Sequence, residues 1–358
     1  MNLLKITKRS NLTKKQEYLI RALAIVLALF CTALILLAFG LNPIRVYYAI
    51  VEGSLGTQLR IKQTIIKAIP LTITSLGILV AFKMKFWNIG GEGQIAMGAM
   101  AASYVALNYG SLPKPVLLVL MALAGIVMGG FWAFIPALFK RKFGTNETIF
   151  TLMMNYIAIK FVMYLQYGPW MDPNANGFPR VAPFPDNAIL PTFLGVHLGL
   201  LIAIVCVILI YFLMTYTKLG YEITVVGESY ETARYAGMNI GKIMIVAMLI
   251  SGGLCGLVGM IQASAVEKTL VAGISGGYGF TAIITAWLAR LNAPVTAIVC
   301  VLFAMLLQGG AYIQLAMNVP SSVAGIVQGT ILFFVLGSEF FLQYKITLAR
   351  HKWAKEAK

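Results

Sequence analysis

Residues 198–216 read LGLLIAIVCVILIYFLMTY and contain no charged side chain. A helix of about 20 mostly apolar residues crosses the hydrocarbon core of a bilayer. This run therefore decides the class of fold. Similar runs lie on both sides of it, at roughly 20–40, 64–82, 90–109, 115–139, 148–167, 242–262, 278–290, 294–312 and 322–342. The pattern predicts an all-α polytopic membrane protein with about ten transmembrane helices, the eighth (278–290) being the shortest.

Composition agrees. Of 358 residues, 59% are hydrophobic and 11% charged, and the mean hydropathy is +0.84. Soluble domains run at roughly 45–50% apolar and about 25% charged. The surplus apolar surface does not fit one aqueous core, so the bilayer is the solvent. That excludes a soluble enzyme, a disordered tail and a nucleic-acid binder.

The net charge is +16, from 28 Lys and Arg against 12 Asp and Glu. The basic residues cluster between the apolar runs. Sorted onto alternating sides, 20 fall with the N-terminus, seven fall opposite, and Lys160 lies within a run. Cytoplasmic loops carry the excess of Lys and Arg, so both ends are expected inside. The basic stretch 1–21 precedes a run too long for a signal peptide, with no small-residue cleavage site, so it reads as a retained first span.

The expected organisation is a basic cytosolic N-terminus (1–21), a single transmembrane domain (22–342) and a basic cytosolic C-terminus (343–358). Residues 43–63 are amphipathic and are expected at the outer interface. Residues 168–197 form an outer loop with six prolines, expected to be extended and water-exposed. Residues 217–241 are the longest inner loop and carry Glu222, Glu228, Glu231 and Arg234.

Soluble chemistry is scarce. No phosphate-binding G-x-x-x-x-G-K-[ST] occurs, and the G-x-G-x-x-A strings at Gly91 and Gly277 follow no soluble strand. Cys31, Cys206, Cys255 and Cys300 each sit alone in an apolar run, which suits small buried residues better than disulfides. Neither His197 nor His351 has a partner at metal-ligand spacing. No catalytic, cofactor or metal residues are expected. The small-residue faces Gly125-x-x-x-Gly129 and Gly252-x-x-x-Gly256 let helices approach closely in lipid.

Polar groups inside apolar runs are costly and often functional. Asn88, Glu92 and Gln94 surround consecutive glycines at the start of the third run. They read either as caps of a tight turn or as substrate contacts. Glu147, Asn155 and Lys160 make a second set, and Gln262, Gln308, Gln314, Asn318 and Gln328 lie on later runs. For each, a buried helix–helix hydrogen bond competes with a ligand contact.

Residues 82–102, FKMKFWNIGGEGQIAMGAMAA, resemble the NIG-x-E-GQ signature of bacterial ABC-importer permeases, in the branch that handles ribose and other simple sugars, nucleosides and branched-chain amino acids. KFGTNETIFTLMMNYIA (142–158), VVGESYETARYAGMNIGK (225–242) and GGYGFTAIITAWLARLNAP (276–294) resemble further segments of that branch, in order, along nearly the whole chain. The flanks of NIGGEGQ and the Asn155-Tyr156 pair are most similar to the nucleoside (guanosine-type) and simple-sugar subgroup. Ala289 and Thr232 depart mildly from the family pattern.

The resemblance implies a permease of the bacterial cell membrane, importing nucleosides by alternating access, with a simple sugar as the alternative substrate. An ion-coupled secondary transporter is the rival class. ATP and Mg²⁺ would bind a separate cytosolic ATPase. A second related permease, an external binding lipoprotein and membrane lipid would be the other partners, and nucleic acid none. Gly227, Glu228, Tyr230, Glu231, Ala233, Arg234 and Gly237 would form the loop that docks on the ATPase, with Tyr230, Ala233 and Gly237 packing against it. Asn88, Glu92, Gln94, Asn155, Tyr156, Gln262 and Gln308 are the translocation-path candidates. Trp87, Tyr156, Tyr278 and Trp287 could stack a base. The resemblance also allows an inverted relation between spans two to five and seven to ten.

Overall fold

A computed structural model describes residues 4–8, 13–175, 177, 179–193 and 195–348. The basic residues Arg9, Arg350, Lys352, Lys355 and Lys358, and His351, lie outside the described residues. In chain order the elements are β1 (Leu4–Lys8), α1 (Lys14–Ala38), α2 (Pro43–Leu55), α3 (Gln58–Lys83), α4 (Gly91–Asn108), α5 (Lys114–Phe143), α6 (Glu147–Tyr167), β2 (Thr192–Phe193), β3 (Val196–His197), α7 (Gly199–Tyr216), α8 (Lys218–Glu228), α9 (Tyr230–Tyr235), α10 (Ile240–Ile261), α11 (Tyr278–Leu288), α12 (Ala293–Met317), α13 (Ser321–Gln343) and β4 (Tyr344–Leu348). The chain divides into two compact units, Leu55–Gln308 and Met1–Ser54 with Gly309–Lys358.

All ten apolar runs become helices, but they are not equivalent. Among the described residues, α3, α5, α6, α7, α10 and α12 are long and apolar enough to cross a membrane. A seventh crossing exists if α1 and α2, bent by 114° at their junction, count as one span. The third run becomes the 18-residue α4, as long as α7, but Glu92 and Gln94 among the glycines of its first turns lower its hydropathy below that of the other spans. The eighth becomes the 11-residue α11.

In the unit Leu55–Gln308, α3 is the central element. Thr57 caps it, its side chain accepting from Arg60 N. Every residue from Ala68 to Phe82 is buried. An all-round apolar helix of this kind belongs inside a bundle. Pro70 lies within it, and proline is tolerated in membrane helices where neighbours re-satisfy the freed backbone. α10 packs along α5 and α4 through the small-residue faces read in the sequence. At Gly129 an added Cβ would lie 2.6 Å from the Gly256 Cα, a separation that only glycine permits. Dispersion over that close contact replaces the hydrophobic driving force that lipid removes.

Two segments differ from expectation. Residues 43–63 are not one interfacial piece: they split into α2 and the opening turns of α3, because Thr57 starts a new helix. The proline-rich loop 168–197 is not extended in water. It folds onto the bundle, burying Val181, Phe184, Ala188, Leu190 and Val196. Phe184 N donates to Lys268 O, Leu190 N to Ser264 Oγ, and Asn187 Nδ2 to the Gly110 and Leu112 carbonyls. Prolines bring fewer backbone donors to satisfy, so apolar loop residues can be buried at lower cost. The inner loop 217–241 is helical, as α8 and α9.

In the other unit, α1 packs on α13, and β1 pairs antiparallel with β4, Leu4 opposite Leu348 and Lys8 opposite Tyr344. The Tyr47 hydroxyl donates to the Leu29 carbonyl and ties α2 to α1.

Candidate functional site

The NIGGEGQ stretch breaks the helical path. α3 ends with Met84 at its C-cap, and Lys85 takes a left-handed φ of 58°. Residues 85–89 are not helical, and α4 begins at Gly91. Such backbone at membrane depth survives only against protein or a wet cavity. Here protein supplies the partners. Asn88 Nδ2 donates to Gln94 Oε1 (3.2 Å) and Ser251 Oγ (3.0 Å), while Asn88 Oδ1 accepts from Gly90 N (3.0 Å) and Gln94 Nε2 (3.0 Å). Gly93 N donates to Asn155 Oδ1, and Asn155 Nδ2 donates to Ile89 O, each at 2.8 Å. Ile89 N donates to Thr151 Oγ1 at 3.1 Å.

Glu92 reaches across to another helix. Its Oε1 accepts from Gly279 N at 2.6 Å and from Phe280 N at 3.3 Å. These are among the first backbone donors of α11, which begins after Gly277 in a left-handed turn (φ 78°). Glu92 also lies in the first turn of α4. One carboxylate thus faces the positive ends of two interrupted helices.

Four of the seven path candidates, Asn88, Glu92, Gln94 and Asn155, therefore converge, all buried, in this internal lock. The other three lie elsewhere. Gln262 is buried in a π-helical turn (Gln262–Glu267) that ends α10. Gln308 Nε2 donates to Gln63 Oε1 at 2.7 Å. Tyr156, next to Asn155 and about 100° round the helix from it, is 57% exposed. It shares a stripe of α6 with exposed Lys160, Tyr164 and Tyr167.

Of the aromatic candidates, Trp87 and Trp287 stack with centroids 5.6 Å apart, and Phe82 meets both. Tyr156 and Tyr278 are not part of that cluster.

The inner segment is built from caps. Thr217 Oγ1 accepts from Gly220 N to start α8, Ser229 Oγ accepts from Thr232 N to start α9, and Asn239 Oδ1 accepts from Lys242 N to start α10. Gly237 stops α9 with φ 71°, the left-handed turn that glycine accepts most readily. Glu228, Tyr230, Glu231, Arg234 and Gly237 are exposed, as is Tyr235 at 93%. Ala233 and Gly227 are not. Ala233 is fully buried within the chain, so it does not face a partner as the sequence suggested. Gly227 sits against the Lys83 carbonyl, with no room for a side chain. A cleft of about 660 Å³ opens beside α8, bounded by Lys85, Lys140, Arg141, Glu147 and Glu228. Lys140 and Glu147 pair across it at 2.8 Å.

One residue escapes a reading of the sequence. The charge pattern sorts Lys67 with the outer loops, yet it lies in the third turn of α3, half-buried, its Nζ donating to Leu307 O at 3.4 Å. Its place one helical turn after Gln63 is visible in the sequence; its depth is not.

Residues 60–336 match the family model described as branched-chain amino acid transport system / permease component. The chain is 34% identical to a glucose ABC transporter permease of Haloferax volcanii, across 94% of this chain and 91% of that one. It is 30% identical to a nucleoside ABC transporter permease of Lactococcus lactis, across 96% and 97%. It is also 30% identical to a guanosine ABC transporter permease of Bacillus subtilis, across 89% and 93%.

Proposed function

We propose, because this chain belongs to the branched-chain amino acid transport system / permease component family, that it is the permease through which an ATP-driven, binding-protein-dependent importer moves nucleosides. The chain is an ABC transporter permease, a multi-pass membrane protein.

The observation that carries the transport reading is the α6 stripe Tyr156, Lys160, Tyr164 and Tyr167. A charged group on the lipid face of a spanning helix costs about 2.5–3.5 kcal/mol at the helix centre. That exposed face also carries Ile149, Met153, Ile157 and Phe161, and a face mixing one ammonium and three phenols with apolar groups is better matched to a partner subunit and the path it closes than to lipid alone. We therefore place the translocation path along this face, closed on the far side by a second related permease. The Asn155 lock holds α6 against α4 and keeps the stripe aimed outward.

α9 is the natural contact for the cytosolic ATPase, which would hold ATP and Mg²⁺. Its exposed Glu231, Arg234 and Tyr235 stand on a short helix whose buried side, at Ala233, is anchored in the permease. Motion of the ATPase would reach the bundle through Gly227, which touches the end of α3. A binding lipoprotein would meet the outer loop 168–197. Pairing of β1 with β4 fits two chain ends on one side, inside. Alternating access between outward- and inward-open states would follow, biased by ATP binding.

A second reading, a simple-sugar importer, is supported by the 34% identity to the glucose permease. Reconstitution in liposomes with the ATPase, second permease and binding lipoprotein separates the two. ATP-dependent uptake of labelled guanosine but not glucose supports the first, and the reverse supports the second. Uptake of neither would remove both.

A further inference from the structure

Among the described residues, Lys67 is a cation at membrane depth without a counter-ion. It lies 16 residues before Lys83, the inner end of α3. At about 1.5 Å per residue that is about 24 Å along the axis, within the outer part of a hydrocarbon core of about 30 Å. Gln308 lies 15 residues after Ala293 on α12, at a matching height. Among the described residues Lys67 has no carboxylate within ion-pair distance, and its ammonium donates only to Leu307 O, at 3.4 Å. An ammonium carries three donors, so two remain. Gln63, one turn away on α3, is exposed and bonded to buried Gln308 at 2.7 Å. One ammonium and two amides therefore share a small zone of the unit Leu55–Gln308.

Charged groups inside a membrane are rare, and they mark substrate or ion pathways. A purely structural lysine would be expected beside a carboxylate, or replaced by an apolar residue of similar length. This one is held by a single long hydrogen bond. We propose that Gln63, Lys67 and Gln308 form a hydrogen-bonding station for an uncharged substrate bearing hydroxyl and carbonyl groups, at the outer ends of α3 and α12 and separate from the α6 stripe. The chemistry fits that class. Amides both donate and accept, as a hydroxyl does, and an ammonium donates to a carbonyl or hydroxyl oxygen. An uncompensated cation also repels cationic solutes. The station rests on the importer reading above and deepens it by naming where the polar edge of a nucleoside is first held within the membrane.

The test uses the complete importer in liposomes, with guanosine and glucose as probes. It compares the native chain with Lys67→Met, Lys67→Arg and Gln63→Leu, reading uptake, ATP hydrolysis without substrate, and melting temperature. Lys67→Met and Gln63→Leu should each lower uptake about tenfold, as expected for loss of a hydrogen bond involving a charged or closely coupled group. Substrate-free hydrolysis should hold in both and melting temperature in Lys67→Met, while Gln63→Leu, which strands the buried Gln308 amide, should lower melting temperature modestly; Lys67→Arg should keep most of the uptake. Native uptake in Lys67→Met would overturn the station while leaving the importer intact. A parallel fall of uptake, hydrolysis and melting temperature in both lysine variants would also overturn it, since that marks a strap onto α12. Should Lys67→Met fail to fold, the exposed Gln63→Leu decides. If the native importer takes up neither probe, the importer reading falls and the station with it.

Discussion

The Glu92 carboxylate accepts the backbone N–H of Gly279 at 2.6 Å, joining the start of α4 to the start of α11. Two helices interrupted at depth are held end to end by one side chain. Each brings backbone donors that no helical carbonyl satisfies. Lipid cannot satisfy them either.

Glu92→Ala should therefore destabilise the bundle by about 1–3 kcal/mol, the cost of stranding buried donors. Glu92→Gln keeps an acceptor oxygen and should fall between the two. Thermal unfolding of the detergent-solubilised protein measures this. Equal melting temperatures for Glu92→Ala and the native chain would show that the cap carries no stability.

Gly256 touches α5 so closely that the carbonyl of Gly125 occupies the space of its missing Cβ. Gly256→Leu should prevent folding, because three backbones would have to separate; overpacking of ordinary cores already costs about 1–3 kcal/mol. Gly325→Ala, where nothing lies within 4 Å of an added Cβ, should be neutral. Size-exclusion profiles of the two variants give the comparison.

The double change Glu231→Arg with Arg234→Glu alters only exposed side chains of α9. The melting temperature should stay put, since exposed charges contribute about 0–1 kcal/mol. Substrate-driven uptake in the reconstituted importer should drop while the ATPase still hydrolyses ATP. Full uptake would remove α9 from the coupling contact.

Lys160→Leu separates a lipid-facing α6 from a path-facing one. On a lipid face the change should stabilise the protein and spare uptake. On the path, uptake should fall by about tenfold or more, in line with loss of a charged contact. Uptake kinetics at fixed expression decide between them.

His197 is 5% exposed, and neither ring nitrogen has a partner among the described residues. Burial pushes its proton affinity below the ordinary value of 6.5. The folded loop therefore keeps the ring neutral where the unfolded chain would protonate it. The full stability is present above about pH 6.5 and is lost as the pH falls from there toward the lowered folded value. Melting temperature should drop between about pH 7.5 and 5.5. His197→Leu should flatten that dependence, and an unchanged slope would assign it to other groups.

Much of this is legible in the residues alone. The run 198–216 and its fellows are helices, and the glycine faces are the α5–α10 contact. NIGGEGQ points to the family that residues 60–336 match. Such features depend on composition and on spacing within a few turns, so a linear chain displays them. The proline-rich loop misleads because its burial depends on the distant Ser264 and Lys268. Ala233 misleads because an exposed and a buried alanine read alike.

Only the tertiary structure decided which polar groups meet. Glu92 and Gly279 are 187 positions apart, and Lys67 and Leu307 are 240 apart. In a bilayer nearly every helix face is apolar, so hydropathy does not rank one packing partner above another. Close glycine contacts and the need to satisfy each interior donor make that choice, and both act between helices that the chain brings together only once it has folded.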